Sequence, residues 1–153
     1  LQLVNTEIAE ATEADRKNAM DGHLPHRRGV EVELADALIR LLDLAGRYGW
    51  KYQNGPNAFG LPPKLIFADS LAARHLWITE AVCNLARGCG SPLGPGYEYV
   101  KYEYSQAVAS LLYVADQEGY DIWGAVREKL EYNKTRSDHS RERRFRRPDG
   151  KRY

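Results

Sequence analysis

Leu34, Leu38, Leu41 and Ala45 follow one another at intervals of three and four residues, with neither proline nor glycine between them. An α-helix turns once every 3.6 residues, so this spacing brings all four to one face, and that face has to be buried. The stripe predicts a helix over about 30–48, stopped by Gly49. Val4, Ile8 and Ala11 predict another from Leu3 to Met20, ended by Asp21-Gly22 and joined to its successor by a short loop from His23 to Gly29 that contains Pro25. Residues 53–63, with Asn54-Gly55-Pro56 and Pro62-Pro63, forbid regular helix and read as a surface connection. A second breaker, Gly88 to Gly96, holds four Gly and two Pro. Between and beyond these breaks lie a third helix (Lys64 to Ala86), a fourth (Tyr97 to Gln117) and a fifth (Ile122 to Lys134) with Asp121 as its N-cap. Leu41–Ala45 and Leu111–Ala115 are each followed four residues later by a glycine, Gly49 and Gly119, which two related helix ends or coincidence would equally explain. No segment carries the alternation of a strand. The expected fold is all-α, a helical bundle of about five helices.

At 153 residues the chain suits one domain that buries its core without disulfides. The apolar runs, such as Ala107 to Val114, fall short of the ~20 residues a bilayer span requires, and no leader segment is visible. The two cysteines, Cys83 and Cys89, lack C-x-x-C spacing; they are read as structural thiols of a cytoplasmic protein. The net charge of +1 conceals a division, because residues 134–153 carry a local +6 and the rest −5. We therefore separate an all-α domain over 1–136 from a basic tail over 137–153. Such a tail suits nucleic acid, or an acidic phosphate-handling site over which it folds back.

The first helix carries Glu7 and Glu10, the second Glu33 and Asp36. Residues three apart lie about 60° around a helix and ~4.5 Å along it, so each pair points one way. If the two helices pack antiparallel, four carboxylates converge on one groove and repel one another unless a cation joins them. Oxygen-only ligation suits Mg²⁺, with Mn²⁺ as an alternative, and disfavours zinc. Such an ion keeps water and binds phosphates, which suggests attack of metal-activated water on a phosphate. The competing reading is a solvated acidic face. Against it, Glu7 adjoins the small face of Ala11 and Ala14, and Glu33 adjoins the Leu34 stripe, which places both at the edge of packing.

Glu7-Ile8-Ala9-Glu10 and Glu33-Leu34-Ala35-Asp36 resemble the E-x-x-E and E-x-x-D halves of the MazG-like all-α nucleoside triphosphate pyrophosphohydrolases. The run from Asp36 to Gly46 is similar to that family's second helix, and the gap between the halves is of comparable length. Lys129-x-x-x-Asn133-x-x-Arg136 resembles its downstream K-x-x-x-N-x-x-R, and Gly150-Lys151-Arg152-Tyr153 its G-K-ending tails. The likeness spans about 1–50 and 119–153. It implies hydrolysis of a nucleotide substrate (NTP or dNTP) between the α- and β-phosphates, with release of monophosphate and pyrophosphate, possession of Mg²⁺ on Glu7, Glu10, Glu33 and Asp36, and assembly as a homodimer or homotetramer. Glu10 and Glu33 are the catalytic candidates, with Glu10 the first choice to orient or deprotonate the attacking water. Lys129, Asn133 and Arg136 would bind the leaving pyrophosphate.

Other residues keep two readings. Trp50, Trp77 and Trp123 suit a stacking wall for a base, or packing. His23 and His26 suit contact with phosphate or base, or an exposed loop; Arg16, Lys17, Arg27 and Arg28 suit closure over a triphosphate, or surface charge. The run Arg141 to Arg147, five Arg around Phe145, resembles an RNA-binding arm. A non-catalytic helical oligomer that holds nucleic acid through this tail is therefore the alternative function, and a regulatory helical protein with a merely solvated acidic face is a third.

Overall fold

The computed structural model describes residues 1–50, 70–90 and 97–135. Its elements are α1 (Gln2–Lys17), α2 (Gly29–Tyr48), α3 (Leu71–Gly90), α4 (Tyr97–Gln117) and α5 (Ile122–Thr135). Among the described residues there is no strand, only an isolated bridge between Met20 and Arg28 in the α1–α2 loop. The helical bundle expected from periodicity is what forms. No described helix is long and apolar enough to cross a membrane.

The centre of the bundle is α2, which packs against α1, α4 and α5, while α3 lies against α4 and α1. Neighbours on three sides account for burial beyond the predicted stripe: Leu34, Leu38 and Leu41 are fully enclosed, and so are Ala35 and Ala37 beside them. The end of α1 meets the start of α2, where the Gly29 amide donates to the Ala19 carbonyl at 2.8 Å, and Arg40 near the other end reaches back to Glu7. The pair is thus antiparallel. Leu38→Ala removes side-chain volume from the middle of this core and is expected to cost about 3 kcal/mol. A lower urea midpoint with an unchanged denaturant slope is the corresponding observation.

The helix ends follow local chemistry. The first helix stops three residues earlier than its periodicity predicts, because Asn18 takes a left-handed conformation (φ 48°, ψ 42°), which asparagine tolerates better than most residues. Met20 then pairs with Arg28 across the loop. The Asp21 carboxylate shapes that loop by accepting from the amides of His23 at 2.9 Å and Leu24 at 2.6 Å. The expected start of the third helix at Lys64 lies outside the described residues; the helix seen opens at Leu71, with Ser70 Oγ accepting from the Ala73 amide at 3.2 Å.

That helix also continues through the first part of the predicted breaker, to Gly90 instead of Ala86. A helical glycine costs about 1 kcal/mol relative to alanine. Gly88 is nevertheless buried, and its bare Cα lets α4 approach, since a Cβ there would stand 3.4 Å from the Tyr99 ring. The likeness between the ends of α2 and α4 is structural. Gly49 and Gly119 are both left-handed, at φ 68° and 70°, and the next amides, of Trp50 and Tyr120, each donate at 2.9 Å to the carbonyls of Ala45 and Ala115. Each is a glycine-terminated helix whose following aromatic residue folds back on the last turn. At the start of α5, Asp121 caps as predicted, its Oδ1 accepting from the Gly124 amide at 3.0 Å.

Candidate functional site

On α1 the buried positions are Val4, Glu7, Ile8 and Ala11, so Glu7 belongs to the packed stripe itself instead of its edge. On α2, Glu33 and Asp36 are half-buried on a face covered by α1 and α5. Antiparallel packing brings one carboxylate oxygen each from Glu7, Glu33 and Asp36 within 4.8 Å of one another. Glu10, one turn along α1, is exposed and stands outside this trio, within reach of the charge of Glu7. The expected convergence is therefore three oxygens with a fourth carboxyl at the margin.

Two bases enter the cluster from opposite sides. Arg40, four residues after Asp36 on α2, reaches a single oxygen of Glu7, with Nε donating to Oε1 at 2.6 Å and Nη2 lying 2.5 Å from the same atom. Lys129 Nζ sits 2.8 Å from Asp36 Oδ2. It follows Ile122, Ala125 and Val126 along the inward stripe of α5, which explains why a lysine is buried there. Counted as ionised, the four acids exceed the two bases by two charges.

That imbalance is visible in the acid strengths. Burial drives the Glu33 carboxyl up to about 8, and the charges of Asp36, Glu10 and Glu7 add to it against the pull of Lys129. Asp36 is likewise raised, first by burial and further by Glu7, although Lys129 and Arg40 oppose the shift. Glu10 is raised by partial burial, by Glu7 and by Asp36. Burial alone would weaken the Lys129 ammonium; Asp36, Asp21 and Glu33 together outweigh it and hold the group above its ordinary value. A half-buried, oxygen-only pocket with surplus negative charge suits a hard cation. Oxygens sharing one Mg²⁺ stand about 3–4 Å apart, so the trio would need only small side-chain rotations to do so.

Asn133 lies one turn beyond Lys129, half-buried, with its Oδ1 enclosed and lacking a hydrogen-bond partner among the described residues. Arg136, the basic run Arg141 to Arg147 and the Gly150–Tyr153 end lie outside the described residues. Arg27 is turned away from the acidic cluster. Its side chain, 11% exposed, is held by Glu31 at 2.7 Å, Glu128 at 2.8 Å and Asp121 at 3.2 Å, tying the α1–α2 loop to α5. His26 Nε2 lies 2.7 Å from Glu128, and the His23 ring packs 4.6 Å from that of Tyr132. Arg16 and Lys17 both pair with Glu13 on the surface, and Arg28 reaches Asn18. Trp50 is buried, stacked on Tyr48 at 5.0 Å and beside Tyr104, while Trp77 meets Tyr113 edge-on and Trp123 is exposed.

Sequence reasoning passed over Arg40, although its spacing from Asp36 carried the signal: four residues on, it had to share that face of α2. It also passed over His75, buried on α3, whose Nδ1 lies 2.8 Å from Thr12 Oγ1 and whose pKa burial pushes below the ordinary imidazole value. Cys83 is half-buried and Cys89 exposed, so packing does not account for the second thiol. Comparison with family models, with curated proteins and with solved structures returned no match to the chain.

Proposed function

We propose that the chain is a MazG-like pyrophosphohydrolase, cutting nucleoside triphosphates between the α- and β-phosphates with Mg²⁺, for which Mn²⁺ can substitute. The observation that carries this reading is the approach of Glu7, Glu33 and Asp36 oxygens to within 4.8 Å, in surroundings that raise the acids of Glu33 and Asp36. Glu7, Glu10, Glu33 and Asp36 are the residues that would hold the ion. Bound there, it would polarise the phosphate and make a water more acidic.

The remaining chemistry belongs to the chain. Glu10 stands at the exposed margin with its carboxyl raised, which suits it to take the proton of the attacking water better than an unperturbed glutamate would. Glu33, one of the trio, would be charged once the ion is bound and is the second catalytic candidate. Lys129 and Asn133, one helical turn apart on α5, with Arg136 following, would take up the charge that grows on the leaving pyrophosphate. On the same reading the chain assembles as a homodimer or homotetramer, with the exposed Trp123 and Leu130 on α5 as surface for such an assembly to cover.

The test is a panel of NTPs and dNTPs offered to the purified full chain with Mg²⁺, with products identified by anion-exchange chromatography. Monophosphate and pyrophosphate in equal amounts are expected. Orthophosphate as the product, or turnover that persists in excess chelator, would remove the proposal.

A further inference from the structure

Arg40 contacts Glu7 in an unusual way. Both its Nε and one terminal nitrogen converge on Oε1, so the fork that could grip both oxygens of a carboxylate engages only one. Its side chain is 40% exposed while that of Glu7 is 8% exposed, so the guanidinium reaches from the open side onto a buried acid. Arg40 also lowers the acids of Glu10 and Asp36, which places its charge within the influence of the whole cluster. On the other flank Lys129 holds Asp36 in the same manner. Each of these two acids is thus neutralised by a base of the chain itself.

We propose that Arg40 is a phosphate-binding residue of this site, kept against Glu7 until a divalent cation takes that carboxylate and frees the guanidinium for the substrate's phosphate chain. The inference rests on the reading of the carboxylates as cation ligands given above. Its logic is exchange of ion pairs: a cation bound to polyphosphate enters as one pair, and carboxylate and guanidinium each trade one partner for another. No buried charge is left alone at the end, which the low polarity of the site requires. Arginine suits this task because its planar fork matches phosphate oxygens as well as it matches carboxylate.

Titration calorimetry of the full chain tests this without any turnover, using Mn²⁺ alone and then the preformed complex of Mn²⁺ with inorganic tripolyphosphate. Arg40→Gln removes a competitor for Glu7, so Mn²⁺ alone is expected to bind about threefold to fivefold more tightly, the scale of a partly exposed ion pair. The same variant is expected to bind the tripolyphosphate complex about tenfold more weakly, the loss of a charge-assisted phosphate contact. Arg40→Lys, which keeps the charge without the fork, should leave Mn²⁺ binding near that of the parent and fall between on tripolyphosphate. Arg40→Gln that is unchanged in both titrations, or that binds Mn²⁺ more weakly, would overturn the role. Opposed shifts in Arg40→Gln beside a parent protein that releases no pyrophosphate would remove the proposed reaction and keep Arg40 as a phosphate ligand. Pyrophosphate release by the parent with no such shifts in the variant would do the reverse.

Discussion

Glu33→Gln is expected to lower turnover by about two to four orders of magnitude, the range associated with loss of a group acting on the proton or charge of the transition state. The metal-free variant should be at least as stable as the parent. The two outcomes have one cause. In the metal-free protein burial and three neighbouring acids bring the Glu33 carboxyl up to about 8, so at neutral pH it is largely protonated, and glutamine closely imitates that neutral form. Binding of a cation demands the charged form, which glutamine cannot supply. Below about 8 the parent must therefore release a proton for each ion bound, and its Mn²⁺ affinity should climb by up to about tenfold per pH unit before levelling off. The variant should lack that climb. Stability runs the other way: a carboxyl raised from 4.5 to about 8 contributes stability fully present below 4.5 and lost as pH rises through about 8. Melting temperatures of the metal-free parent should decline across that window, and those of Glu33→Gln should decline less. Equal slopes for the two proteins would show that Glu33 does not titrate there. Glu13 and Glu128, both held down to about 2 by hydrogen bonds to arginine, act oppositely, adding stability above 4.5 that disappears as pH falls through about 2.

What the sequence could and could not say follows from the range of the forces involved. The stripe of Leu34, Leu38 and Leu41 is local information, and it located α2 to within a residue. Paired spacing in Glu7–Glu10 and Glu33–Asp36 gave the direction of each carboxylate along its own helix, and the short loop gave antiparallel packing, which together brought three of the four together. The rotation of α1 against α2 was not legible, since it depends on how α3 presses on α1 and α5 on α2; that rotation buries Glu7 and leaves Glu10 at the margin. The end of α1 was missed for a similar reason. Asn18 is a fair helix residue until the loop's own bonds, between Met20 and Arg28 and around Asp21, favour a left-handed turn there. Gly88 reads as a breaker in one dimension and as a contact point in three, because only the packed α4 shows what its missing side chain makes room for. The bases were half legible. Lys129 was found through a motif but expected against phosphate, whereas it lies on Asp36; Arg27, for which closure over a triphosphate and plain surface charge stood equal, is enclosed by acids of α2 and α5.

Lys129→Met should be the most damaging single change to the metal-free fold among the charged residues of the site. The side chain of Lys129 is 7% exposed and that of Asp36 19%, so their contact at 2.8 Å has little water to replace it. Methionine fills much the same space, keeps the packing against Ala125 and Val126, and removes only the charge. Truncating one partner of a buried pair costs about 3–5 kcal/mol where the other has no escape. Here Asp36 and Glu33 can escape by taking up protons, as their already raised acid strengths indicate, which places the expected loss near the lower end, about 3 kcal/mol at pH 8 and less at pH 5. For a chain of this size that corresponds to a fall in melting temperature of roughly 6–12 °C. Millimolar Mg²⁺ should return most of the loss at pH 8, because an ion binding only the folded protein adds stability in proportion to the logarithm of its concentration and replaces the missing positive charge. Turnover should stay depressed even when stability is restored, since the ion cannot also supply the ammonium that the proposed reaction sets against the departing pyrophosphate. Thermal unfolding with and without Mg²⁺ at the two pH values separates these effects. If Lys129→Met melts like the parent at pH 8 without metal, Asp36 and Glu33 do not need a positive neighbour, and the charge imbalance from which the site was inferred has no energetic weight.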